Sequence, residues 1–131
     1  MTKTTCRVLC IDDHEDTSEM LKLLLAQEDY EVVTATSIQA ALEQAKKEKF
    51  DLYVLDRRLP DGNGLELCQK LSAITPGVPC IFYSGDAYAI HKSEAMAAGA
   101  DAYVTKPDIE GLIDAVQRLL TDSHCATATN Q

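Results

Sequence analysis

Three carboxylates, one hydroxyl and one ammonium group stand at the ends of short apolar segments. These side chains belong to Asp12, Asp13, Asp56, Ser84 and Lys106. Carboxylates held close together repel one another, and a hard divalent cation such as Mg²⁺ relieves that repulsion. A lysine offers positive charge to a phosphoryl oxygen, and a serine offers a hydroxyl donor. The set therefore suits phosphoryl transfer to an aspartate, an established carboxylate nucleophile.

The chain between these residues alternates between strand and helix patterns. Five apolar runs predict strands, and five stretches with apolar residues at helical spacing predict helices. The predicted strands lie near Arg7–Ile11, Glu31–Ala35, Asp51–Leu55, Pro79–Tyr83 and Ala102–Thr105. This alternation predicts an α/β fold with an open, doubly wound, five-stranded parallel sheet and five helices. Because sites in such folds form outside the carboxyl ends of the strands, we expect the five side chains to share one edge.

Several residues predict where the helices begin and end. Asp16 and Glu19 resemble a capping box for the first helix. Ser37 is a candidate N-cap of the second helix, and Gly99 is a candidate C-cap glycine at the end of the fourth helix. The segment Pro60–Gly64 is rich in turn-forming residues, and we expect a turn there before the third helix.

The composition describes a single folded domain with a strong negative charge. The 131 residues are 46% hydrophobic and 25% charged, which predicts a packed core rather than disorder. We expect this domain over residues 1–120, followed by a polar tail over residues 121–131. The formal net charge of −9 argues against direct binding of nucleic acid, because phosphate contacts need clustered lysine and arginine.

The cysteines and the absence of long apolar runs indicate a cytoplasmic protein that has no membrane contact. The chain shows neither a secretory signal pattern nor an apolar run of roughly 18 residues. Four of the five cysteines lie in apolar segments, and we expect them to be buried free thiols, with the fifth exposed in the tail. These residues are Cys6, Cys10, Cys68 and Cys80, and Cys125 in the tail.

The residues at the strand ends resemble a response-regulator receiver domain of two-component signal transduction. The resemblance runs from about Arg7 to Leu120. It is carried, in chain order, by Asp12-Asp13, the segment Asp56–Gly64, Ser84-Gly85 and the segment Tyr103–Pro107. Each motif alone is weak, but all of them at the expected strand ends form a highly specific pattern.

The resemblance implies a flavodoxin-like strand order of 2-1-3-4-5 and a magnesium-dependent phosphoryl acceptor. Asp56 would accept the phosphoryl group from a histidine kinase or a phosphotransfer protein. Mg²⁺ would be bound directly by Asp13, Asp56 and the backbone carbonyl of Arg58, with Asp12 acting through water. The domain would be a signalling module that labels itself and slowly dephosphorylates, rather than an enzyme.

The same resemblance assigns the remaining motif residues to phosphoryl binding and switching. Lys106 and Ser84 would hold the acyl phosphate, and the Lys106–Pro107 peptide would be cis. Tyr103 would turn inward when Ser84 moves toward the phosphoryl group, although a half-buried strand aromatic is an equally simple interpretation. Gly85 would leave room for the phosphoryl group.

Three residues around the motifs receive separate interpretations. Arg58 lies two residues after Asp56, and Asp86 lies two residues after Ser84. We hypothesise that Arg58 and Asp86 pair across the site and slow hydrolysis of the phosphoaspartate; the alternative is that both face solvent. His14 is interpreted as a loop or helix-start residue, because imidazole is a poor ligand for Mg²⁺.

Two other functions of this fold class match the sequence less well. A phosphatase of the halo-acid type needs a second acid where Arg58 stands, and a nucleotide-binding protein needs a glycine-rich phosphate loop after the first strand. A phosphorylation-independent interaction module on the same fold remains an alternative. The kinase, the downstream protein partner, the choice between monomer and homodimer, and whether the domain acts alone or within a longer protein stay open.

Overall fold

This computed structural model describes residues 5–121. Seven strands and five helices lie within them. In chain order the strands are β1 (Arg7–Ile11), β2 (Glu31–Ala35), β3 (Leu52–Leu55), β4 (Arg58–Leu59), β5 (Gly62–Asn63), β6 (Cys80–Ser84) and β7 (Ala102–Thr105). The helices are α1 (Glu15–Gln27), α2 (Ile38–Lys47), α3 (Gly64–Ile74), α4 (Ala89–Ala97) and α5 (Ile109–Thr121).

Five of the strands form one parallel sheet in the order β2-β1-β3-β6-β7. The remaining two, β4 and β5, pair as an antiparallel hairpin of two residues a side. Its connecting residues and β5 lie in the segment Pro60–Gly64 that the sequence predicted as a turn, whereas β4 comes directly before that segment. Without this hairpin in the count, the order is 2-1-3-4-5. The doubly wound, flavodoxin-like fold with five helices is therefore confirmed.

The core lies on both faces of the sheet. Residues of β1 alternate between them, so that Leu9 and Ile11 pack with α2, α3 and α4, whereas Val8 and Cys10 pack with α1 and α5. Because successive side chains of a strand point to opposite faces, a strand covered on both sides is apolar throughout. This explains why uninterrupted apolar runs in the sequence predict the central strands.

The helix ends follow the sequence in two places and depart from it in one. Ser37 caps α2, since its side chain accepts a hydrogen bond from the Ala40 N–H at 3.1 Å. Gly99, with φ of +113°, follows α4 as expected. The predicted capping box of Asp16 was wrong, because the N-cap of α1 is His14, two residues before Asp16. His14 is the helix-start residue, and its own N–H is held by the Asp12 carboxylate at 2.9 Å.

The cysteines are buried as expected, but not all of them are free. Cys10, Cys68 and Cys80 are free thiols, and burial raises the pKa of Cys10 to about 12. Cys6 is disulfide-bonded, so the expectation of a free thiol was wrong there; an apolar segment predicts burial, not oxidation state. Cys125 lies outside the described residues. Within residues 5–121, each helix is too short or too polar to cross a bilayer.

The N-terminus of α2 receives a second cap from outside the helix. Asp61, between β4 and β5, accepts hydrogen bonds from the Ile38 N–H at 2.8 Å and the Gln39 N–H at 3.0 Å. These two donors stabilise the ionised carboxylate, and the pKa of Asp61 is lowered as a result. The contact ties the turn that follows β3 to the neighbouring helix.

Replacing Asp61 by alanine should lower the free energy of unfolding by about 1 kcal/mol near neutral pH, as for other lost helix caps. Because the pKa of Asp61 is lowered in the folded protein, its contribution is complete above the ordinary aspartate pKa. The contribution is lost as the pH falls through the lowered value. Urea denaturation from about pH 7 to about pH 3 should show the difference from wild type shrinking with acid.

Asp61→Asn is the matched control, because it keeps an acceptor oxygen without the charge. It should lose less stability than the alanine variant. A difference between wild type and Asp61→Ala that stays constant across the pH range would contradict the capping role of the carboxylate.

Candidate functional site

The carboxyl ends of β1 and β3 bring three acidic side chains together. The two strands are in register, with Ile11 opposite Leu55, so the residues that follow them meet at one edge. Asp12 and Asp56 are buried, at 3% and 5% exposure, whereas Asp13 is exposed. One carboxylate oxygen of each lies within 4.8 Å of the others, in a group that also includes a ring nitrogen of His14.

Lys106 places a positive charge between the two buried acids. Its Nζ lies 2.7 Å from Asp12 Oδ2 and 3.2 Å from Asp56 Oδ2. Burial lowers the pKa of Lys106, but the hydrogen bond to Asp12 and the charge of Asp56 outweigh burial, and the pKa is raised. The Lys106–Pro107 peptide that follows is cis, as predicted.

His14 lies against the acids, a contact that its interpretation as a loop or helix-start residue did not predict. Its Nδ1 is 2.8 Å from Asp12 Oδ1, 3.3 Å from Asp13 Oδ1 and 3.7 Å from Asp56 Oδ2. The hydrogen bond to Asp12 is the main reason that the pKa of His14 is raised. Its position directly after the acidic pair was the signal for this contact. The donor set is otherwise carboxylate oxygen, which fits a hard divalent cation such as Mg²⁺.

The turn after β3 explains why the segment Asp56–Gly64 ends in glycine. The Gly64 N–H donates to the Arg57 carbonyl at 2.6 Å, which closes the turn behind Asp56. A Cβ on Gly64 would lie 2.2 Å from the Asp56 carbonyl oxygen and 3.0 Å from the Phe82 ring. No side chain fits there unless the backbone of Asp56 moves.

Ser84 and Tyr103 meet at the backbone of Asp86. The Asp86 N–H donates to Ser84 Oγ at 3.3 Å, and the Tyr103 hydroxyl donates to the Asp86 carbonyl at 2.5 Å. The Tyr103 ring stacks on Phe82 with 6.0 Å between centroids, and burial is the main reason that its pKa is raised. Tyr103 is thus a half-buried strand aromatic that also contacts the loop after Ser84.

An open pocket joins these groups. Its lining includes Asp56, Arg58, Ser84, Gly85 and Lys106. A Cβ on Gly85 would meet nothing within 4 Å, so this position adds open space beside the acceptor. The five chemically capable residues named from the sequence are therefore at one edge of the sheet, with the backbone of the turn after β3.

The predicted ion pair between Arg58 and Asp86 was wrong. Asp86 Oδ2 lies instead 3.8 Å from Arg57 Nε and in hydrogen-bond contact with His91 Nδ1, while Oδ1 accepts from the Tyr88 N–H at 3.1 Å. The pKa of Asp86 is lowered, first by the Tyr88 N–H and then by His91 and Arg57. Arg58 begins the β4 hairpin and is exposed. The preceding residue, Arg57, is the arginine whose side chain lies beside Asp86.

Replacing Gly64 by alanine should lower the free energy of unfolding by about 2 kcal/mol or more, because its Cβ would overlap the Asp56 backbone. Gly85→Ala is the matched control, and its stability should stay within about 0.5 kcal/mol of wild type. Urea denaturation of the three proteins measures both differences. Equal stability of the two variants would show that the turn has room for a side chain at Gly64.

Comparison with known proteins agrees with this geometry. Residues 8–117 match the family model of the response regulator receiver domain. TcrX of Mycobacterium tuberculosis, a probable transcriptional regulatory protein, is 33% identical over 114 residues, which cover 86% of this chain and 49% of TcrX. The chain spans about half the length of the curated relatives that it matches.

Solved structures show the same fold. A two-component response regulator from Clostridium difficile has a TM-score of 0.87 and 26% identity, over 92% of this chain and 99% of that one. TrrA from Thermotoga maritima, in complex with Mg²⁺ and BeF, has a TM-score of 0.80 and 31% identity, over 88% and 100% of the two chains. With this strand order and a match over most of its length, the chain belongs to the receiver domain family of two-component response regulators.

Proposed function

We propose that Asp56 accepts a phosphoryl group from a phosphohistidine of a histidine kinase or a phosphotransfer protein. The observation that carries this proposal is the placement of Lys106 Nζ, 3.2 Å from Asp56 Oδ2 at the floor of an open pocket. Asp12 is also paired with Lys106, but its other oxygen is occupied by His14 and it does not line the pocket. Asp56 is therefore the buried acid with access to a donor.

The acids around Asp56 suit a bound Mg²⁺. Asp13 and Asp56 would hold the ion directly, together with the backbone carbonyl of Arg58, and Asp12 would act through water. Bound there, Mg²⁺ supplies positive charge that offsets the carboxylates and the phosphoryl oxygens. The Mg²⁺ and BeF in the similar TrrA structure support this assignment.

The reaction needs little from the chain beyond placement and charge. An oxygen of Asp56 forms the new bond to phosphorus, the phosphorus–nitrogen bond of the phosphohistidine breaks, and the imidazole leaves. Lys106 lies where it contacts a phosphoryl oxygen on Asp56. Ser84 accepts the Asp86 N–H, so its own hydroxyl proton is free to be donated to a second phosphoryl oxygen.

The output of the reaction would be a change of surface rather than a chemical product. Movement of Ser84 toward the phosphoryl group would shift Asp86, to which the Tyr103 hydroxyl is bonded. Tyr103 would thereby report the state of Asp56 to a downstream protein partner.

We assign this role to the domain of residues 1–120, with residues 121–131 as a tail. The net charge of −9 disfavours direct nucleic-acid binding by this chain.

Incubation with Mg²⁺ and acetyl phosphate should add one phosphoryl group to the intact mass of the wild-type chain. The gain should disappear in Asp56→Asn, which removes the nucleophile, and in the presence of a chelator, which removes the metal. Asp114→Asn, with the same change of charge at an exposed position of α5, should be labelled like wild type. An unlabelled wild type, or labelled Asp56→Asn, would reject Asp56 as the acceptor.

A further inference from the structure

Helix α4 is anchored to the domain with little apolar packing. Ala95 is its buried residue, whereas Ile90 and Met96 are 64% and 44% exposed. Helix α5, by contrast, buries four apolar side chains against the sheet. Since burial of apolar area is the usual source of helix docking, polar contacts must contribute more to the position of α4 than to that of α5.

Those polar contacts converge on Arg57, the residue after the acceptor. Its Nη2 lies 2.7 Å from Glu94 Oε1, its Nη1 donates to the His91 carbonyl at 3.4 Å, and its Nε is 3.8 Å from Asp86 Oδ2. The side chain is 15% exposed, and its own N–H donates to Asp56 Oδ1 at 2.7 Å. One guanidinium thus spans from the acceptor turn to two turns of α4 and to the loop that precedes them.

Asp86 links Arg57 to Ser84 and Tyr103. Its carboxylate contacts Arg57 and His91, while its N–H is bonded to Ser84 and its carbonyl to Tyr103. With the Asp86 N–H on one lone pair of Ser84 Oγ, the hydroxyl proton is directed away from the loop. Asp86 therefore connects Arg57 with both hydroxyls, through its carboxylate on one side and its backbone on the other.

We propose that Arg57 is a positioning residue for phosphoryl acceptance, which places Ser84 through Asp86 and holds α4 against the site through Glu94. The inference rests on the proposed function, because it assigns Ser84 to the bound phosphoryl group. A guanidinium suits this role better than an ammonium group, because its planar set of donors reaches two acceptors on α4 while its charge lies 3.8 Å from the Asp86 carboxylate. The contacts of Asp86 with His91 and the Tyr88 N–H remain when Arg57 is replaced, so the loop keeps its fold but loses part of its constraint.

The test measures the affinity of the full chain for beryllofluoride, a phosphoryl mimic, by calorimetry in saturating Mg²⁺. Arg57→Gln should weaken binding roughly 5- to 10-fold, and Glu94→Gln roughly 2- to 3-fold. The double variant should match Arg57→Gln alone, because Glu94 acts through Arg57. Arg57→Lys should recover part of the loss. Glu19→Gln is the control for Glu94→Gln, because it makes the same change of charge at an exposed position of α1. It should bind beryllofluoride like wild type.

Hydrogen exchange of residues 86–97 provides a second readout. In wild type, beryllofluoride should slow exchange of these amides, and in Arg57→Gln that protection should be reduced. Glu94 is exposed enough for Glu94→Gln to fold, so it carries the test if Arg57→Gln does not. A drop in unfolding free energy with unchanged affinity, or a rise in affinity, overturns the positioning role while Asp56 labelling stands. A wild type that neither binds beryllofluoride nor is labelled overturns the proposed function and this inference together.

Discussion

The ammonium group of Lys106 lies between the carboxylates of Asp12 and Asp56, and the edge of the sheet is arranged around that contact. Burial of an unpaired carboxylate is strongly unfavourable, and these two acids are 3% and 5% exposed. The three residues follow β1, β3 and β7, so Lys106 meets both acids because the sheet brings these three strand ends to one edge. The burial of Asp56 beside a cation is thus a property of the whole sheet rather than of the segment Asp56–Gly64.

Strand order also explains why the cation is a long side chain. In the sheet, β6 lies between β3 and β7, so a residue after β7 must reach across a strand to meet Asp56. The Lys106 Nζ passes over Tyr83 of β6, 5.9 Å from the ring centroid. On the other side of the acceptor, Gly64 allows the turn to close directly behind the Asp56 carbonyl. The long side chain of Lys106 on one side and the missing side chain of Gly64 on the other thus both serve the placement of Asp56.

The sequence predicted the sheet and the residues at its edge because both depend on patterns that survive any local rearrangement. Buried strands must be apolar, and the residue after a strand must lie at its carboxyl end. The misplaced features depend on finer geometry. The pairing of Asp86 with Arg57 instead of Arg58 follows from the direction of one side chain at a two-residue hairpin. Likewise, the close contact of His14 with the acids follows from the first turn of α1, which the expected cap at Asp16 placed too late.

Helices α4 and α5 differ in how they are held against the sheet, and this difference explains why the position of Arg57 matters. Apolar packing responds little to a change of charge, so the well-buried α5 offers a rigid wall on its side of the sheet. Polar contacts respond strongly, and those of α4 begin one residue from the carboxylate whose charge a phosphoryl group would change. Because coupling between two sites is reciprocal, a partner that binds the exposed surface of α4 more tightly when the site at Asp56 is occupied would raise the affinity of that site by the same factor.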